Sequence, residues 1–454
     1  MSMLRAINPA TGHLLAEYPL DSNDDVARKL TLSHEACSPW RLSSYAERAI
    51  LFHNVAAELR SGAHHYARRM TDEMGKPIRQ ALAEVEKCAW ACEYFAENAA
   101  RFLQPQRVDT EASKSYVAFE PLGSILAVMP WNFPFWQFFR FAAPALMAGN
   151  VAVLKHAPNV PGCALDIEEI FANAGFPQGV LVNLFINDRK VADVIRDHHI
   201  AAVTLTGSVG AGRSVAATAG EVIKKCVLEL GGSDPFIVLK DCDLDLAVEQ
   251  AAVARMLNNG QSCIAAKRFI VEKPVYERFI DAFRARLERL VVGDPHLEET
   301  EVGPLARKDL RDELHRQVKK SIKRGAQCLL GGEVLEGDGF FYAPTLLIDV
   351  DPEMLAFEQE TFGPVAAVTL AENTAHAIEL ANRSEYGLGA SIWTRSARGE
   401  DLARQLNAGH VAVNDIVKSD PRLPFGGVKK SGYGRELSAF GAMEFCNVKT
   451  YWIK

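Results

Sequence analysis

Short apolar segments alternate with helical patterns between residues 124 and 229, and this alternation limits the possible folds more than any other feature of the sequence. The apolar segments read ILAVM, NVAVLK, GVLVNLF, IAAVTLTG and KKCVLEL, and stretches with helical spacing separate them. Strands that are apolar on both faces and joined by helices form a parallel sheet covered on both sides. We therefore predict an α/β fold with a doubly wound open sheet.

The chain has 454 residues, too many for one hydrophobic core, so more than one domain is expected. Residues 24–104 show apolar positions at helical spacing, a second α/β pattern runs from about 233 to 427, and FCNVKTYWIK at the end reads as a lone strand. A strand also precedes Pro121-Leu122-Gly123. Isolated terminal strands usually join a sheet elsewhere, in the same subunit or in a partner.

Composition excludes several classes of protein. A net charge of −7 argues against a nucleic-acid partner, which normally requires a basic surface. The first residues lack the apolar core of a signal peptide, and the apolar segments are too short to span a membrane, so we predict a cytoplasmic protein without a membrane partner. Nine scattered cysteines without a paired CxxC or Cys/His pattern predict neither a structural disulfide framework nor a metal site.

Two loops are suited to phosphate binding. LTGSVGAG, residues 205–212, runs from a strand into a glycine-rich helix start, and VLKHAPNVPG, residues 153–162, ends a strand at Lys155. Ligands of open parallel sheets lie at the carboxyl ends of strands, against helix N-termini. Neither loop matches GxGxxG, so each is equally compatible with an ordinary turn between strand and helix.

Three polar groups occupy unusual positions. Asn132 follows an apolar strand, Glu229 stands inside one, and Cys263 lies in a turn after the polar run NNGQS interrupts a helix. A free cysteine is often simply buried in the core. Together, however, a thiol, an amide and a carboxylate are typical of chemistry through a thioester: attack on a carbonyl, stabilisation of the oxyanion, and activation of water. Without a nicotinamide, the same groups would make a thiol esterase, although such enzymes normally use a histidine base.

The motifs resemble those of the NAD(P)-dependent aldehyde dehydrogenase superfamily along the whole chain. In order, they are PWNFP at 130–134, LKHAPN at 154–159, TGS at 206–208, LELGG at 228–232, NNGQSC at 258–263, ETFGPV at 360–365 and PFGGVKKSGYGRE at 424–436. The resemblance implies a cofactor-binding domain, residues 1–109 and 124–231, and a catalytic domain, residues 232–430. It also implies an oligomerisation arm, 110–123 and 443–454, in a homodimer or homotetramer.

The resemblance also implies the roles of individual residues. Cys263 would be the nucleophile, Asn132 would bind the oxyanion together with the Cys263 backbone N–H, and Glu229 would be the base for deacylation. NAD or NADP would be the cofactor. The residues implied to contact it are Trp131, Lys155, Pro158, Gly207, Ser208, Gly212, Leu230, Glu360 and Phe362. Pro158 stands where NAD-preferring relatives carry a glutamate, which makes NADP acceptable without making it preferred.

The substrate prediction depends on Arg140 and Ser419. Counting a helix from Asn132 puts Arg140 two turns along the same face, about 12 Å away at 1.5 Å per residue, where it could bind a substrate carboxylate. Phe135, Trp136 and Phe139 would line an apolar passage between them, and Phe425 is a further expected contact. Succinate-semialdehyde dehydrogenases carry an arginine and a serine at these spacings, and the chain is similar to their short bacterial group.

The expected substrate is therefore a small-molecule aldehyde, succinate semialdehyde, which is oxidised to succinate. Another short aliphatic or ω-carboxylated aldehyde stays open as the substrate, and so does cofactor-independent thiol esterase activity. A surface-paired Arg140 is the simpler alternative for that residue. Ala265 stands where some relatives carry a second cysteine, so we expect no redox switch in this loop.

Overall fold

The computed structural model describes residues 3–454, and helices and strands alternate through most of that range. The α-helices are α1 Asn23–Leu42, α2 Tyr45–Ser61, α3 Ala63–Met74, α4 Ile78–Phe102, α5 Trp136–Met147, α6 Pro161–Asn173, α7 Val191–Arg196, α8 Val209–Glu221, α9 Leu244–Met256, α10 Tyr276–Glu288, α11 Lys308–Lys323, α12 Leu355–Glu358, α13 Thr374–Asn382, α14 Gly399–Ala403 and α15 Ser438–Glu444. The strands are β1 Met3–Ile7, β2 Leu14–Pro19, β3 Gln106–Arg107, β4 Lys114–Pro121, β5 Ser124–Val128, β6 Val151–Lys155, β7 Leu181–Asn183, β8 Ile200–Thr206, β9 Lys225–Glu229, β10 Asp234–Val238, β11 Ala266–Glu272, β12 Gln327–Leu330, β13 Thr345–Ile348, β14 Val365–Ala371, β15 Gly389–Trp393, β16 His410–Val413, β17 Gly432–Tyr433 and β18 Cys446–Ile453.

Sheet I has six strands in the order β17-β9-β8-β5-β6-β7, and all neighbours from β9 to β7 are parallel. The chain builds outward from β5 to β7, then returns to the other side of β5 with β8 and β9. The order reverses between β5 and β8, and ligands of open α/β sheets bind at such a point, beyond the carboxyl ends of the strands. The prediction of a parallel sheet over this segment is confirmed.

Sheet II has seven strands in the order β12-β13-β14-β11-β10-β15-β16, and only the β12–β13 pair is antiparallel. The predicted second α/β segment therefore forms a second, mostly parallel sheet. Two separate apolar clusters cover its faces, one built around Phe236 and Phe269 and the other around Ile237 and Ile270. Neighbouring residues of β10 and β11 thus face opposite sides, as the alternation of side chains along a strand requires.

The last strand, β18, pairs antiparallel with β4, and Val448 lies opposite Phe119. Together with β3 it forms a three-stranded sheet in the order β18-β4-β3. The two segments predicted to form an oligomerisation arm, 110–123 and 443–454, therefore pair with each other within one subunit. Residues 3–19 form a hairpin of β1 and β2.

The predicted helical segment of residues 24–104 is confirmed and consists of α1 to α4. Apolar residues of α2, α4 and α5 pack into the largest cluster of buried side chains, where Phe52, Phe95 and Phe138 are fully buried. Burial of a side chain of this size contributes about 1.5–3 kcal/mol each. Within residues 3–454, no helix is both long enough and apolar enough to cross a membrane.

Candidate active site

The loop that carries Cys263 begins where α9 ends, because three residues in succession adopt the left-handed backbone conformation. Asn258 and Asn259 have φ angles of 54° and 59°, and Gly260 follows at 73°. Asparagine tolerates this conformation better than most residues. A Cβ at Gly260 would lie 2.3 Å from the Gly363 carbonyl oxygen, so this position requires glycine. The helix therefore stops at Met256, and Cys263 lies in a turn before β11, as the sequence predicts.

Side-chain amides join this loop to the segment that carries Asn132. The Asn132 Nδ2 atom donates to the Gln261 carbonyl oxygen at 3.1 Å, and Asn258 Nδ2 donates to the Asn132 carbonyl oxygen at 2.6 Å. Asn132 itself is buried. The structure therefore holds the Asn132 amide against the backbone two residues before Cys263, and the predicted pair shares one site.

The Cys263 thiol lies in a desolvated, positively biased environment. Burial raises the pKa of Cys263 to about 11, while the charges of Arg140 and Lys267 act to lower it. Lys267 Nζ donates to the carbonyl oxygens of Ser262 and Cys263, both at 2.8 Å. This lysine thus fixes the turn and supplies a positive charge beside it, which favours the thiolate.

Glu229 ends β9 with both carboxylate oxygens buried and without a hydrogen-bond partner among residues 3–454. Burial raises the pKa of Glu229 well above its usual range; Arg140 lowers it and Glu436 raises it further. A Cβ at Gly426 would lie 2.7 Å from Glu229 Oε1, so the glycine makes room for the carboxylate. A buried carboxyl without partners is costly and is common at functional sites.

One pocket contains the Cys263 side chain. Two predicted substrate residues of α5, Trp136 and Arg140, contribute to its wall, and Ser419 and Phe425 contribute from the segment that follows β16. The other lining residues are Gln80, Ala83, Glu84, Lys87, Phe133, Gln137, Leu257, Ser262, Ile264, Ile416, Val417 and Lys418. The wall combines aromatic and aliphatic side chains with four charged ones, Glu84, Lys87, Arg140 and Lys418.

The structure corrects the geometry predicted for Arg140. The helix α5 begins at Trp136, so Asn132 lies in a bend before it and Arg140 is only one turn into the helix. The Arg140 guanidinium is not free: Nε donates to Glu436 and Nη2 donates to Thr206 Oγ1 at 3.2 Å. Both members of the Arg140–Glu436 ion pair are 2% exposed. Its remaining nitrogen, Nη1, has no such bond within the described chain.

Phe135 and Phe139 were expected beside the substrate, and the structure places both in the core instead. They are fully buried and stack on one another, with ring centroids 6.4 Å apart. Phe135 also contacts Tyr66, and Phe139 contacts Phe171. The prediction was wrong because it counted the helix from Asn132. Helix α5 begins at Trp136, and its face with Trp136, Gln137 and Arg140 lines the pocket. Phe133 takes the place expected for Phe135.

The carboxyl edge of sheet I presents the residues expected at a pyrophosphate. Ser208 is the N-cap of α8, and its Oγ accepts from the Ala211 amide at 3.3 Å. Within α8, a Cβ at Gly212 would lie 2.6 Å from Leu230 Cδ2. Glycine therefore lets the first turn of α8 approach the end of β9. Together with Gly207, this forms a narrow helix start at the strand edge, which fits a dinucleotide phosphate.

Lys155 ends β6 at the same edge and is buried, with its ammonium on Asp188. Asp188 is 80% exposed and lies in the loop after β7. Pro158 is exposed in the loop that follows Lys155, so no carboxylate reaches Lys155 from that position. Asp188 supplies one from elsewhere in the sequence, and sequence reasoning did not identify it.

Trp131 lies in the segment after β5 of sheet I, and Glu360 and Phe362 lie in the segment before β14 of sheet II. The Trp131 and Phe362 rings meet edge to face with centroids 5.7 Å apart. Glu360 accepts from the Gly232 amide at 3.1 Å and lies 3.4 Å from Lys267 Nζ. Burial raises the pKa of Glu360, and Lys267 lowers it. A Cβ at Gly231 would come within 2.4 Å of Glu360 Oε2, so glycine is needed at this position for the carboxylate to approach.

Four residues of the site were missed from the sequence: Lys87, Asp188, Lys267 and Glu436. Lys87 lies with Gln80 and Glu84 on one helical face of α4, a row that also fits an ordinary amphipathic helix. Lys267 lies four residues after Cys263, a local signal that could have been used. The other two are brought in by tertiary contacts over long sequence separations.

Comparison with known proteins gives consistent results. The model of the family described as "Aldehyde dehydrogenase family" matches residues 2–451. The chain is 51% identical over 451 residues to the probable succinate-semialdehyde dehydrogenase [NADP(+)] of Synechocystis sp., covering 99% of each chain. It is 50% identical over 448 residues to the succinate semialdehyde dehydrogenase [NAD(P)+] Sad of Escherichia coli, covering 98% of this chain and 97% of that protein.

Among solved structures, the chain is similar to succinic semialdehyde dehydrogenase from Streptococcus pyogenes in complex with NADP+. The TM-score is 0.97 with 37% sequence identity, and 99% of each chain is covered. The match extends over both sheets and the arm, so the architecture is shared as a whole.

Proposed function

Because the chain belongs to the aldehyde dehydrogenase family, we propose that it oxidises succinate semialdehyde to succinate with NADP+ or NAD+. The observation that supports this most is that one pocket brings together Cys263, Arg140 and Ser419, which are far apart in sequence. A thiol and an uncommitted guanidinium nitrogen in the wall of one pocket suit a short aldehyde that ends in a carboxylate. The relatives with 51% and 50% identity carry names with the same substrate.

In this proposal, the Cys263 thiolate attacks the aldehyde carbon and forms a thiohemiacetal. The Asn132 side-chain amide and the Cys263 backbone N–H stabilise the oxygen that becomes negative. NADP+ or NAD+, when bound, supplies the two-electron acceptor that turns the thiohemiacetal into a thioester. Lys267 and Arg140 favour the anionic sulfur through their charge. Ser419 and Arg140 orient the substrate by its carboxylate.

Glu229 acts next, as the base that takes a proton from water when the thioester is hydrolysed. Burial raises the pKa of Glu229, which makes its carboxylate a stronger base toward water than an exposed glutamate. The carboxylate lies toward Arg435 and Glu436 and does not line the pocket with Cys263. For this step the carboxylate has to reach the thioester from its buried position beside Gly426.

Trp131, Phe362 and Glu360 would hold the nicotinamide end of the cofactor, and Ser208, Gly207, Gly212 and Leu230 the pyrophosphate. Lys155 and Pro158 would face the adenine ribose. The narrow start of α8 and the buried cation at the end of β6 support this assignment. The domain limits 1–109 with 124–231, 232–430, and 110–123 with 443–454 belong to the same proposal.

The test is absorbance at about 340 nm with succinate semialdehyde, glutarate semialdehyde and butanal, each with NADP+ and NAD+. We expect cofactor reduction, with kcat/KM highest for succinate semialdehyde. Equal kcat/KM for butanal would contradict the proposed substrate. Hydrolysis of p-nitrophenyl acetate without cofactor reduction by any aldehyde would favour the thiol esterase, although no histidine lines the pocket within residues 3–454.

We also propose a homodimer or homotetramer in which β18 meets a second copy. This strand is at the outer edge of its sheet, and Val448, Trp452 and Ile453 expose apolar side chains there. Unpaired strand edges favour pairing with another chain. Light scattering after size-exclusion chromatography tests the assembly, and a monomer at micromolar concentration would contradict it. A cytoplasmic location stays a prediction.

A further inference from the structure

Lys87 stands in the substrate pocket as a half-buried cation without an acidic partner. Its Nζ donates to Ser419 Oγ at 2.7 Å and lies 4.3 Å from the centroid of the Trp136 ring. No carboxylate lies within ion-pair distance of it in residues 3–454. A desolvated ammonium with one neutral hydrogen-bond partner is costly, and an anionic ligand would offset that cost.

The acidic groups nearest to Lys87 are already engaged. Glu84, one turn earlier on α4, pairs with Lys76 and accepts from the backbone amides of Phe135 and Trp136. Asp420 pairs with Arg422 at 2.6 Å. Neither can neutralise Lys87 without leaving another buried or ordered group unpaired. The Lys87 ammonium therefore keeps an unpaired positive charge in the wall of the pocket.

Arg140 differs from Lys87 in this respect, since Glu436 already balances its charge. Helix α4 contributes Lys87 to the wall of the pocket and α5 contributes Arg140. Of these two cations, Lys87 is the one without a counter-charge. The charges of Arg140, Glu436 and Lys87 sum to one positive charge. The two other charged residues of the wall, Glu84 and Lys418, pair with Lys76 and Asp415. A monoanionic substrate brings that sum to zero.

We propose that Lys87 is a specificity-determining residue that binds the carboxylate of the aldehyde substrate, with Ser419 holding its ammonium in position. This rests on the proposed function and assigns the carboxylate's main charge partner to α4. Arg140 then acts as a neutralised hydrogen-bond donor beside it. The ligand class is a short aliphatic chain with a terminal carboxylate, and dicarboxylates of similar length bind as inhibitors.

The titration of Lys87 gives a second signature. Burial and, after it, the charge of Arg140 lower the pKa of Lys87 to about 8, against the opposing effects of Cys88, Glu84 and Asp420. The lysine therefore loses its proton, and its charge, as the pH rises through about 8. We expect kcat/KM for succinate semialdehyde to fall relative to that for butanal above this pH.

The test compares Lys87→Met and Lys87→Arg with a matched control, Arg79→Met. Arg79 is an exposed cation of the same helix, α4, and it does not line the pocket. We expect Lys87→Met to lower kcat/KM for succinate semialdehyde by about 10- to 100-fold, the range for a lost charged hydrogen bond, with butanal changed less than about twofold. Lys87→Arg should recover part of the loss, and Arg79→Met should change neither substrate.

A second measurement separates this inference from the proposed function. Succinate should inhibit butanal oxidation by the wild type, and its inhibition constant should rise about tenfold or more in Lys87→Met and stay unchanged in Arg79→Met. An equal loss on both aldehydes, or unchanged inhibition by succinate, would overturn the role of Lys87. A wild type that prefers butanal would instead overturn the proposed substrate, while the succinate measurement would still decide on Lys87.

Discussion

The Arg140 guanidinium and the Glu436 carboxylate form an ion pair that joins α5 to the segment before α15 across 296 residues of sequence. Both side chains are 2% exposed. Glu436 also lies 3.5 Å from Thr204 Oγ1, and its backbone exchanges hydrogen bonds with Phe425. The pair therefore links a wall of the substrate pocket to sheet I. Its arginine acts electrostatically on both Cys263 and Glu229, and its glutamate acts on Glu229.

Replacement of one member of this pair should destabilise the protein strongly. Arg140→Leu leaves Glu436 buried without a counter-charge, and we expect a loss of about 3–5 kcal/mol in the free energy of unfolding. The double variant Arg140→Leu/Glu436→Leu should recover most of this loss, because no charge is left unpaired. Urea unfolding monitored by circular dichroism measures both. Losses that simply add in the double variant would show that the two residues do not form a pair.

Glu229→Gln should stop the reaction after the thioester has formed. The amide cannot take a proton from water, so we expect one equivalent of reduced cofactor in a rapid burst and a steady-state rate lower by about 10²- to 10⁴-fold. Stopped-flow absorbance measures the burst, and mass spectrometry of the quenched enzyme detects the acyl group on Cys263. The control Glu444→Gln alters another acidic group near Glu229 and should keep turnover. A Glu229→Gln enzyme without a burst would contradict the assigned step.

The same substitution should change how stability depends on pH. The pKa of Glu229 is raised by burial, so the folded state holds this proton more tightly than the unfolded state. Its contribution to stability is therefore full below the unfolded-state pKa and is lost as the pH rises toward the folded-state value. Glu229→Gln removes this loss. Thermal unfolding at a series of pH values should show a smaller decline for the variant, and parallel curves would contradict the raised pKa.

Cys263 should react faster with alkylating agents as the pH increases. Burial holds the pKa of the thiol at about 11, so the thiolate fraction grows about tenfold per pH unit over the range from neutral to mildly alkaline. Inactivation by iodoacetamide in the absence of cofactor measures this rate, with Cys263 alkylation followed by peptide mass spectrometry. A rate that is flat above neutral pH would show instead that Arg140 and Lys267 outweigh burial.

Asp188→Asn should shift the enzyme toward NADP+. The Asp188 carboxylate occupies Lys155, and its removal leaves this cation free for a 2′-phosphate. Because Asp188 is exposed, the gain should be modest, about two- to fivefold in the ratio of KM for NAD+ to KM for NADP+. Asp193→Asn, which alters another exposed acid near the same edge, is the matched control. An unchanged ratio in Asp188→Asn would show that this aspartate does not select the cofactor.

The sequence predicted those parts of the structure that depend on local pattern. The alternating apolar runs of β5 to β9 and the interrupted helix before Cys263 were both identified, because periodicity and left-handed asparagines act over a few residues. The error at Phe135 and Phe139 came from counting α5 from Asn132. The helix begins four residues later, at Trp136, so the predicted face that continues from Asn132 is not the face that lines the pocket.

Long-range electrostatic partners could not be predicted in this way. Glu436 and Asp188 lie 296 and 33 residues from the cations they neutralise. No periodicity connects such positions, since the topology of the sheet alone brings them together. Lys87 could not be predicted for a different reason. Gln80, Glu84 and Lys87 have the ordinary spacing of an amphipathic helix, and only the pocket seen in the structure distinguishes Lys87 from a solvated lysine.

The pairing of β18 with β4 has a consequence for synthesis on the ribosome. Lys449 and Glu120, which are bonded across these strands, are 329 residues apart. At about 5–20 residues per second, roughly 15–65 s pass between translation of the two partners. During that interval β4 lacks its partner β18, so one edge of this strand has unpaired backbone groups. A chaperone bound to that edge would protect the nascent chain against aggregation.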